Sequence, residues 1–264
     1  MSGSGVGFLS PGPSLSRDRK RVLDLLGEFS SLFSGKLATL HKKEPYVLPL
    51  FPDLTPVTSR SYPIPPAYYK TTRKEVDRLI KLDVLTPDSS SPWGSPAFII
   101  PKKDGSVRLV CDFRRPNKLL RRHFYPTRYV KEMLSSVDEP KYISLFDIPM
   151  SYYMRVIAVS SRGPTAIVLP WGKLVFNRLP TGVSTAPDKF QACMNETVGD
   201  METVRTSLDD IMVTSQSFDE YLQHLRELFE RLVDNGITLH PAMSKVCAKS
   251  AEYLGYQISK MDMW

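Results

Sequence analysis

The chain is built from short apolar segments that proline and turn residues interrupt repeatedly. Of its 264 residues 22 are proline, and they are concentrated in the first half. Because proline lacks a backbone donor and breaks helix interiors, such a chain favours many short elements over long helices. Hydrophobic residues make up 42% and charged residues 24%, which are near globular averages. This composition excludes a disordered chain, a collagen-like repeat and a coiled coil.

No segment predicts secretion or membrane insertion. Apolar runs such as residues 97–100 are too short to span a bilayer, and the first residues lack the apolar core of a signal peptide. The cysteines Cys111, Cys193 and Cys247 are far apart and odd in number. They indicate a reducing compartment and exclude a disulfide scaffold or a zinc-binding cysteine cluster. We expect a cytoplasmic or nuclear protein without a membrane partner, and the sequence does not choose between the two compartments.

Hydrophobic periodicity predicts an α+β fold. Residues 1–15 predict a flexible tail, residues 16–33 a helix, and residues 36–66 an extended strap. Asp104-Gly105 between two apolar runs predicts a hairpin. Further helices are predicted at 67–82, 128–136, 185–198 and 218–235, the last beginning after a capping box of Ser217 and Glu220. Further strands are predicted at 141–147, 154–159, 165–169, 174–178, 204–207, 211–214, 238–239 and 252–259. Strand hairpins combined with crossing helices indicate α+β.

Two adjacent carboxylates, Asp209 and Asp210, are predicted at the tip of a tight hairpin with apolar flanking strands. Adjacent carboxylates repel each other unless a cation neutralises them. The alternative is an ordinary solvated turn, in which aspartate is common.

A third acid, Asp147, ends the strand-like run 142–146. Aspartate is disfavoured inside strands, so at this position it indicates a cap or a ligand. Three carboxylates on two adjacent strands are what a pair of Mg²⁺ ions about 4 Å apart needs for an in-line phosphoryl transfer. The spacing alone leaves this arrangement open.

Several short motifs occur in a fixed order along the chain. They are Ser91–Pro96, Lys102–Gly105 with Arg108, Asp112–Asn117, Phe146–Tyr152, Thr165–Ala166, Arg178–Gly182, Ala186-Pro187 with Phe190-Gln191, Ser207–Asp210 and Tyr253–Tyr256. With these motifs, residues 45–259 resemble the reverse transcriptase of gypsy-type long-terminal-repeat retrotransposons, a fragment of a Pol polyprotein.

The resemblance implies a right-hand polymerase made of fingers and palm, with an antiparallel palm sheet and a thumb that is absent or truncated. After the helix and strap expected over 16–66, the resemblance implies fingers with part of the palm at 67–140. The palm with its primer grip follows at 141–264, truncated before a thumb and an RNase H domain.

The same resemblance implies the site residues. Asp147, Asp209 and Asp210 would bind two Mg²⁺ ions, which Mn²⁺ could replace, and would be the catalytic triad. The residues implied for nucleotide binding are Lys102, Lys103, Arg108, Tyr152, Thr181 and Gly182, with Tyr152 as the steric gate under the sugar.

Nucleic-acid contacts follow from the resemblance as well. It implies template contacts at Arg114, Arg115, Asn117 and Arg121, and a primer grip at Tyr253, Leu254, Gly255 and Tyr256. The net charge of +7 and the pI of about 9.2 favour a polyanionic partner. The expected partners are a primed RNA or DNA template and dNTPs, whereas the oligomeric state stays open.

The chain departs from the family pattern at positions that contact substrate. Ser207 stands where the family has an aromatic residue, Ser151 replaces a customary glycine, and Thr181 replaces a large apolar residue. The function implied is an RNA-directed DNA polymerase domain that extends a primer 3′-hydroxyl, weakened by these substitutions. The alternative is a catalytically degenerate, retrotransposon-derived protein that at most binds nucleic acid.

Overall fold

A computed structural model describes residues 15–122, 124–126, 140–248 and 250–259. They separate into two compact units that interleave along the chain. The first unit takes the described residues of Met1–His41, Tyr125–Ser151 and Phe190–Trp264, and the second takes those of Lys42–Phe124 and Tyr152–Lys189. The predicted tail lies outside the described residues except for Leu15, which begins a helix, and the predicted helix over 128–136 also lies outside them. The fingers and palm boundaries given above stay predictions.

The described helices and strands are short, as the frequent prolines predict. The helices are α1 (Leu15–Glu28), α2 (Pro66–Lys81), α3 (Arg114–Asn117), α4 (Ala186–Val198) and α5 (Phe218–Asp234). The strands are β1 (Leu85–Pro87), β2 (Ser95–Pro101), β3 (Val107–Cys111), β4 (Tyr142–Asp147), β5 (Ile167–Leu169), β6 (Gly172–Phe176), β7 (Val204–Ser207), β8 (Asp210–Ser215), β9 (Lys245–Ala248), β10 (Ser250–Tyr253) and β11 (Tyr256–Ser259). Four 3₁₀ helices lie at Ser30–Phe33, Ser151–Met154, Val159–Ser161 and Gly163–Thr165.

The second unit is organised around a five-stranded sheet with the order β1–β6–β5–β2–β3. Within this described sheet, β2 and β5 pair in parallel and the other neighbours are antiparallel. The predicted hairpin at Asp104-Gly105 joins β2 to β3, and Gly105 has a φ of +79°. Glycine adopts this left-handed conformation without a steric penalty, which explains why the turn forms there.

The first unit is organised around a four-stranded antiparallel sheet with the order β7–β8–β4–β9. Helix α5 packs on β8 and buries Tyr221, Leu225, Leu228, Phe229 and Leu232. Of the face expected from sequence periodicity, Leu225, Phe229 and Leu232 are buried, whereas Leu222 is half-buried and Val233 is exposed. The helix begins with the predicted capping box, in which Ser217 and Glu220 each accept the other's backbone N–H. A separate hairpin pairs β10 with β11.

Two strand predictions were wrong and a third was wrong in part. Residues 154–159 form no strand, because their backbone donors go to two different segments. The Ile157 N–H donates to the Asn177 carbonyl and the Ala158 N–H to the Tyr46 carbonyl. The segments around Asn177 and Tyr46 each contribute one isolated bridge, which is too little for a β-ladder. Residues 238–239 form no strand either. Residues 252–259 are two strands, since Leu254 and Gly255 turn the chain back on itself.

The α+β class is confirmed by this architecture. Among the described residues, no helix has the length and apolar character that crossing a bilayer would require.

Candidate active site

The register of two central strands of the first unit brings acidic residues together. Antiparallel pairing of β4 with β8 sets Asp147 directly opposite Asp210. On the other side of β8, Ser207 of β7 pairs with Asp210. Like charges at directly opposed positions of a sheet are destabilising, so a fold that keeps them loses stability. Such a cost is commonly found at functional positions.

The hairpin between β7 and β8 is as tight as a hairpin can be. Because Ser207 pairs with Asp210, only Leu208 and Asp209 form the loop. Leu208 has a φ of +51° whereas Asp209 does not have a positive φ, which is the pattern of a type II′ turn. That turn prefers glycine at its first loop position, so leucine there is strained. The Ile148 N–H donates to the Asp209 carbonyl at 2.8 Å and ties the loop to the end of β4.

Gln191 of α4 supports this strained turn from inside the protein. Its side chain is only 4% exposed, and its Oε1 accepts the Leu208 N–H at 2.9 Å. Its Nε2 donates to Asn195 Oδ1 at 3.0 Å and lies 3.3 Å from Thr206 Oγ1. The sequence interpretation gave Gln191 no role beyond its place in a motif. A glutamine at helical spacing from the apolar residues Met194 and Val198 was the sequence signal that could have found it.

Burial and neighbouring charges raise the pKa of two of these carboxylates. Burial raises the pKa of Asp147, and the charge of Asp209 raises it further while His240 lowers it. Burial also raises the pKa of Asp210, with further contributions from Asp147 and Asp209. The charge of Asp209 therefore disfavours the ionisation of both Asp147 and Asp210, and Asp147 disfavours that of Asp210.

His240 is a second residue that the sequence interpretation left without a role. Its backbone N–H donates to the Asp147 carbonyl at 2.8 Å, and its charge acts on the Asp147 carboxylate. Among the described residues, its buried Nδ1 has no hydrogen-bond partner.

The donor set suits a divalent cation in its chemistry. Three carboxylates offer hard oxygen ligands of the kind that Mg²⁺ prefers, and a cation would relieve the repulsion that raises the pKa of Asp147 and Asp210. Within the described part of the chain, no three His, Cys, Asp or Glu side chains are already grouped closely enough to hold one ion. The side chains would have to rotate to share one.

One hydroxyl contacts the triad directly. Ser151, at the start of a 3₁₀ helix, donates its hydroxyl to Asp209 Oδ1 at 2.6 Å. Ser151 is 2% exposed, so water does not compete freely for this bond. The sequence marked Ser151 only as a replacement for glycine.

The second unit holds the residues predicted to bind the nucleotide. Lys102, Lys103 and Arg108 are exposed on the β2–β3 hairpin, and Tyr152 is half-buried. Gly182, with a φ of +97°, has its carbonyl bonded to Asn117 Nδ2 at 2.8 Å. The preceding residue, Thr181, is exposed. Their nucleotide-binding roles stay predictions.

All three predicted template cations have partners within the second unit. Arg114 forms an ion pair with Asp112 at 2.6 Å, and this contact holds the pKa of Asp112 well below its usual range. Arg115 donates to the Thr58 carbonyl at 2.8 Å. The guanidinium of Arg121 lies 5.3 Å from the ring centre of Phe51.

Asn117 is used structurally as well, because its Oδ1 accepts the Ser184 N–H at 2.9 Å. It thereby joins the end of α3 to the loop that carries Thr181 and Gly182. A contact to template would therefore have to use the hydrogen-bond donors that these internal contacts leave over on the predicted template residues.

A basic pocket of about 560 Å³ lies beside these residues. Arg60, Arg114, Arg115 and Lys118 line it, together with the carboxylate of Asp112. Arg60 belongs to the strap, which the sequence interpretation did not connect with nucleic-acid binding.

The predicted primer grip forms the turn between β10 and β11. Leu254 has a φ of +52° and Gly255 of +82°, the pattern of a type I′ hairpin. Tyr253 is 2% exposed and packs with Ile143 and Met212, whereas Tyr256 is 41% exposed. Of the two tyrosines, only Tyr256 therefore has a surface that a primer could reach directly. The grip itself stays a prediction.

Comparison with known proteins gives the same family from sequence. Residues 100–258 match the family model described as "Reverse transcriptase (RNA-dependent DNA polymerase)". The Tf2-3 polyprotein, a transposon protein of Schizosaccharomyces pombe (strain 972 / ATCC 24843), is 25% identical over 203 residues, which are 76% of this chain. The Tf2-7 polyprotein of the same organism is 24% identical over 203 residues. The chain spans 15% of the length of each of these relatives.

Solved structures show the same fold. A foamy viral protease–reverse transcriptase dRH in complex with double-stranded DNA superposes with a TM-score of 0.86 at 23% identity, covering 93% of this chain and 43% of that one. The foamy viral protease–reverse transcriptase in complex with an RNA/DNA hybrid gives 0.85 at 22% identity, covering 93% and 33%.

The matched region includes Asp147, Asp209 and Asp210, the hairpin of Lys102 and Lys103, and all four strands of the β7–β8–β4–β9 sheet. The expected resemblance to reverse transcriptases of gypsy-type retrotransposons is thereby confirmed. The chain belongs to the reverse transcriptase (RNA-dependent DNA polymerase) family.

Proposed function

We propose that this chain is an RNA-directed DNA polymerase domain that adds deoxynucleotides to a primer 3′-hydroxyl. The single observation that carries the proposal is the carboxylate arrangement of the first unit. There Asp147 is paired with Asp210 across β4 and β8, and Asp209 interacts electrostatically with both. In a reverse transcriptase family member, this arrangement supports nucleotidyl transfer better than a structural role. Opposed carboxylates destabilise the sheet unless a cation neutralises them.

Asp147, Asp209 and Asp210 would hold two Mg²⁺ ions, which Mn²⁺ could replace. When bound, such ions lower the pKa of the attacking hydroxyl and stabilise the leaving pyrophosphate. The protein contributes the carboxylates and the means of fixing them. Gln191 fixes the turn that carries Asp209, the Ile148 N–H fixes its carbonyl, and His240 fixes the backbone at Asp147.

Residues of the second unit would bind the nucleotide. Lys102, Lys103 and Arg108 are exposed cations, which suits contact with a triphosphate. Tyr152 would exclude a 2′-hydroxyl, and Thr181 with Gly182 would line the nucleotide pocket. Asn117 supports this last assignment, since its two hydrogen bonds fix the loop that contains Gly182.

The proposed macromolecular partner is a primer–template duplex. The basic pocket formed by Arg60, Arg114, Arg115 and Lys118 supports contacts to template phosphates, and steep salt dependence of binding would be their mark. Tyr256, exposed at the β10–β11 turn, is the grip residue best able to reach the primer. The foamy viral proteins superposed above were solved with double-stranded DNA and with an RNA/DNA hybrid, which favours the same class of partner here.

A non-catalytic, nucleic-acid-binding protein is the second candidate. Two observations favour it: Ser207 supplies no aromatic ring beside the carboxylates, and the Ser151 hydroxyl is bonded to Asp209 Oδ1. A protein of this kind would keep the basic pocket and bind a duplex while adding no nucleotide.

A primer-extension assay separates the candidates. The full chain is incubated in excess over a primed RNA template with dNTPs and Mg²⁺ or Mn²⁺, and products are resolved by length. We expect extension by wild type and by the control Asp24→Asn, an exposed carboxylate of α1. Asp147→Asn, Asp209→Asn and Asp210→Asn should each lose at least about 100-fold in rate.

The comparison requires that every variant shows the same cooperative melting as wild type. A folded wild-type chain that binds the duplex and adds no nucleotide would support the second candidate. Extension that survives in Asp209→Asn would reject the site assignment.

A further inference from the structure

A hydrogen bond between Ser151 and Asp209 distinguishes this site from the family pattern. The two residues are 58 positions apart, and the hydroxyl oxygen lies 2.6 Å from Asp209 Oδ1. Bonds from a hydroxyl to a carboxylate of this length belong to the strong, charge-assisted class. Ser151 is 2% exposed, so the bond is shielded from solvent. The family pattern has glycine at this position and provides no such donor.

The backbone between the two strands places the hydroxyl on the carboxylate. After β4 ends, Ile148 bonds to the Asp209 carbonyl and Pro149-Met150 reverses the chain. Met150 has a φ of +52°, and a proline followed by a residue of positive φ is the pairing of a type II turn. Methionine in this conformation costs free energy. The turn is therefore held by its surroundings, and Ser151 follows it directly.

A carboxylate held in this way resists reorientation. Mg²⁺ demands nearly octahedral geometry and accepts little deviation in the direction of its oxygen ligands. Because the described carboxylates are not grouped closely enough to hold one ion, the Asp209 carboxylate would have to reorient to share a cation with Asp147 and Asp210. Reorientation would stretch or break its bond to the buried Ser151 hydroxyl. The hydroxyl also withdraws electron density from the carboxylate that a cation would bind.

We propose that Ser151 is a positioning residue that restrains the Asp209 carboxylate and weakens the binding of divalent cations at the triad. This inference rests on the proposed function for the identity of the site. It deepens that function by naming the residue that sets the cation requirement of this chain. Net contributions of single hydrogen bonds correspond to about three- to tenfold in an equilibrium constant, and this is the size of the effect expected.

The direct test measures Mn²⁺ affinity without requiring catalysis. Free Mn²⁺ is quantified by electron paramagnetic resonance during titration of the full chain, and the component that Asp209→Asn removes defines the site. We expect Ser151→Ala and Ser151→Gly to bind Mn²⁺ about three- to tenfold more tightly than wild type. Ser151→Thr, which keeps the hydroxyl, should stay at the wild-type affinity. Ser31→Ala, an exposed serine of the same unit, is the matched control and should change nothing.

The outcomes separate the inference from the proposed function. Equal or weaker affinity in both Ser151→Ala and Ser151→Gly, with melting as in wild type, overturns the inference. Tighter binding in these variants without nucleotide addition by any of them supports the inference and rejects the polymerase. Extension by wild type, combined with Mn²⁺ binding that is not tighter in Ser151→Ala and Ser151→Gly, supports the polymerase and rejects the inference. If Asp209→Asn removes no Mn²⁺ in any background, the metal site and the role of Ser151 are both wrong.

Discussion

Removing the amide of Gln191 should loosen the turn that carries Asp209. The test substitution is Gln191→Leu, which keeps much of the side-chain volume in a site that is 4% exposed but deletes the acceptor for the Leu208 N–H. Leu208 has a φ of +51°, a conformation that costs a leucine about 1–2 kcal/mol. The hydrogen bond from Gln191 is one of the interactions that offset this strain.

The expected magnitude follows from the hydrogen bond that the substitution removes. Leaving a buried N–H without its acceptor costs about 1–3 kcal/mol. Leu208 is 36% exposed, so water can reach part of the turn and the lower half of that range applies, about 1–2 kcal/mol. In a protein of this size 1 kcal/mol changes Tm by about 2–4 °C. We therefore expect Gln191→Leu to lower Tm by about 2–8 °C.

Thermal melting and amide hydrogen exchange check the two parts of this reasoning. The Leu208 amide should exchange about tenfold faster in Gln191→Leu, because its protecting acceptor is gone. Gln223→Leu makes the same chemical change at an exposed position of α5 and should leave both measurements as in wild type. If Leu208 exchange and Tm are the same in Gln191→Leu and Gln223→Leu, the turn does not depend on Gln191.

Two further predictions concern stability. Asp112→Asn should lower Tm at neutral pH, because Arg114 holds the pKa of Asp112 below its usual range and the ionised form therefore stabilises the fold. That contribution is complete above the ordinary pKa of about 4 and is lost as the pH falls towards the depressed pKa. The loss of Tm caused by Asp112→Asn should therefore shrink when melting is measured from pH 7 to pH 3. A loss of Tm that does not change with pH contradicts the linkage. Met150→Gly should raise the free energy of unfolding by about 1 kcal/mol, because glycine adopts the φ of +52° without strain. The control Met243→Gly, at an exposed residue without positive φ, should not raise it. Equal Tm values for the two variants would show that Met150 is not strained.

Local signals made the longer described helices and the β2–β3 and β7–β8 hairpins predictable. The capping box at Ser217 and the periodicity after it predicted a helix over 218–235, and α5 spans Phe218–Asp234. Asp104-Gly105 predicted the β2–β3 turn, since only glycine takes its φ of +79° without strain. These features depend on residues within one or two turns of each other, which a sequence displays directly.

The features that failed depend on distant parts of the chain. The apolar run 154–159 resembles a strand, yet its Ile157 and Ala158 donate to two different segments, so no ladder forms. Sequence spacing could propose the triad, but it could not show that Ser151 bonds to Asp209 across 58 residues. The bond from Leu208 to Gln191 crosses 17 residues and was equally hidden. Such hydrogen bonds arise only when tertiary packing brings the elements together.

A single-nucleotide addition measured under single-turnover conditions tests the central claim most directly. The full chain, in excess over a primer annealed to an RNA template, receives one complementary dNTP with Mg²⁺, and primer lengthening by one nucleotide is followed in time. Our account predicts addition by wild type and by Asp24→Asn, and a loss of at least about 100-fold in Asp209→Asn. Equal rates in wild type and a folded Asp209→Asn, or no addition by a folded wild type that binds the duplex, would contradict it.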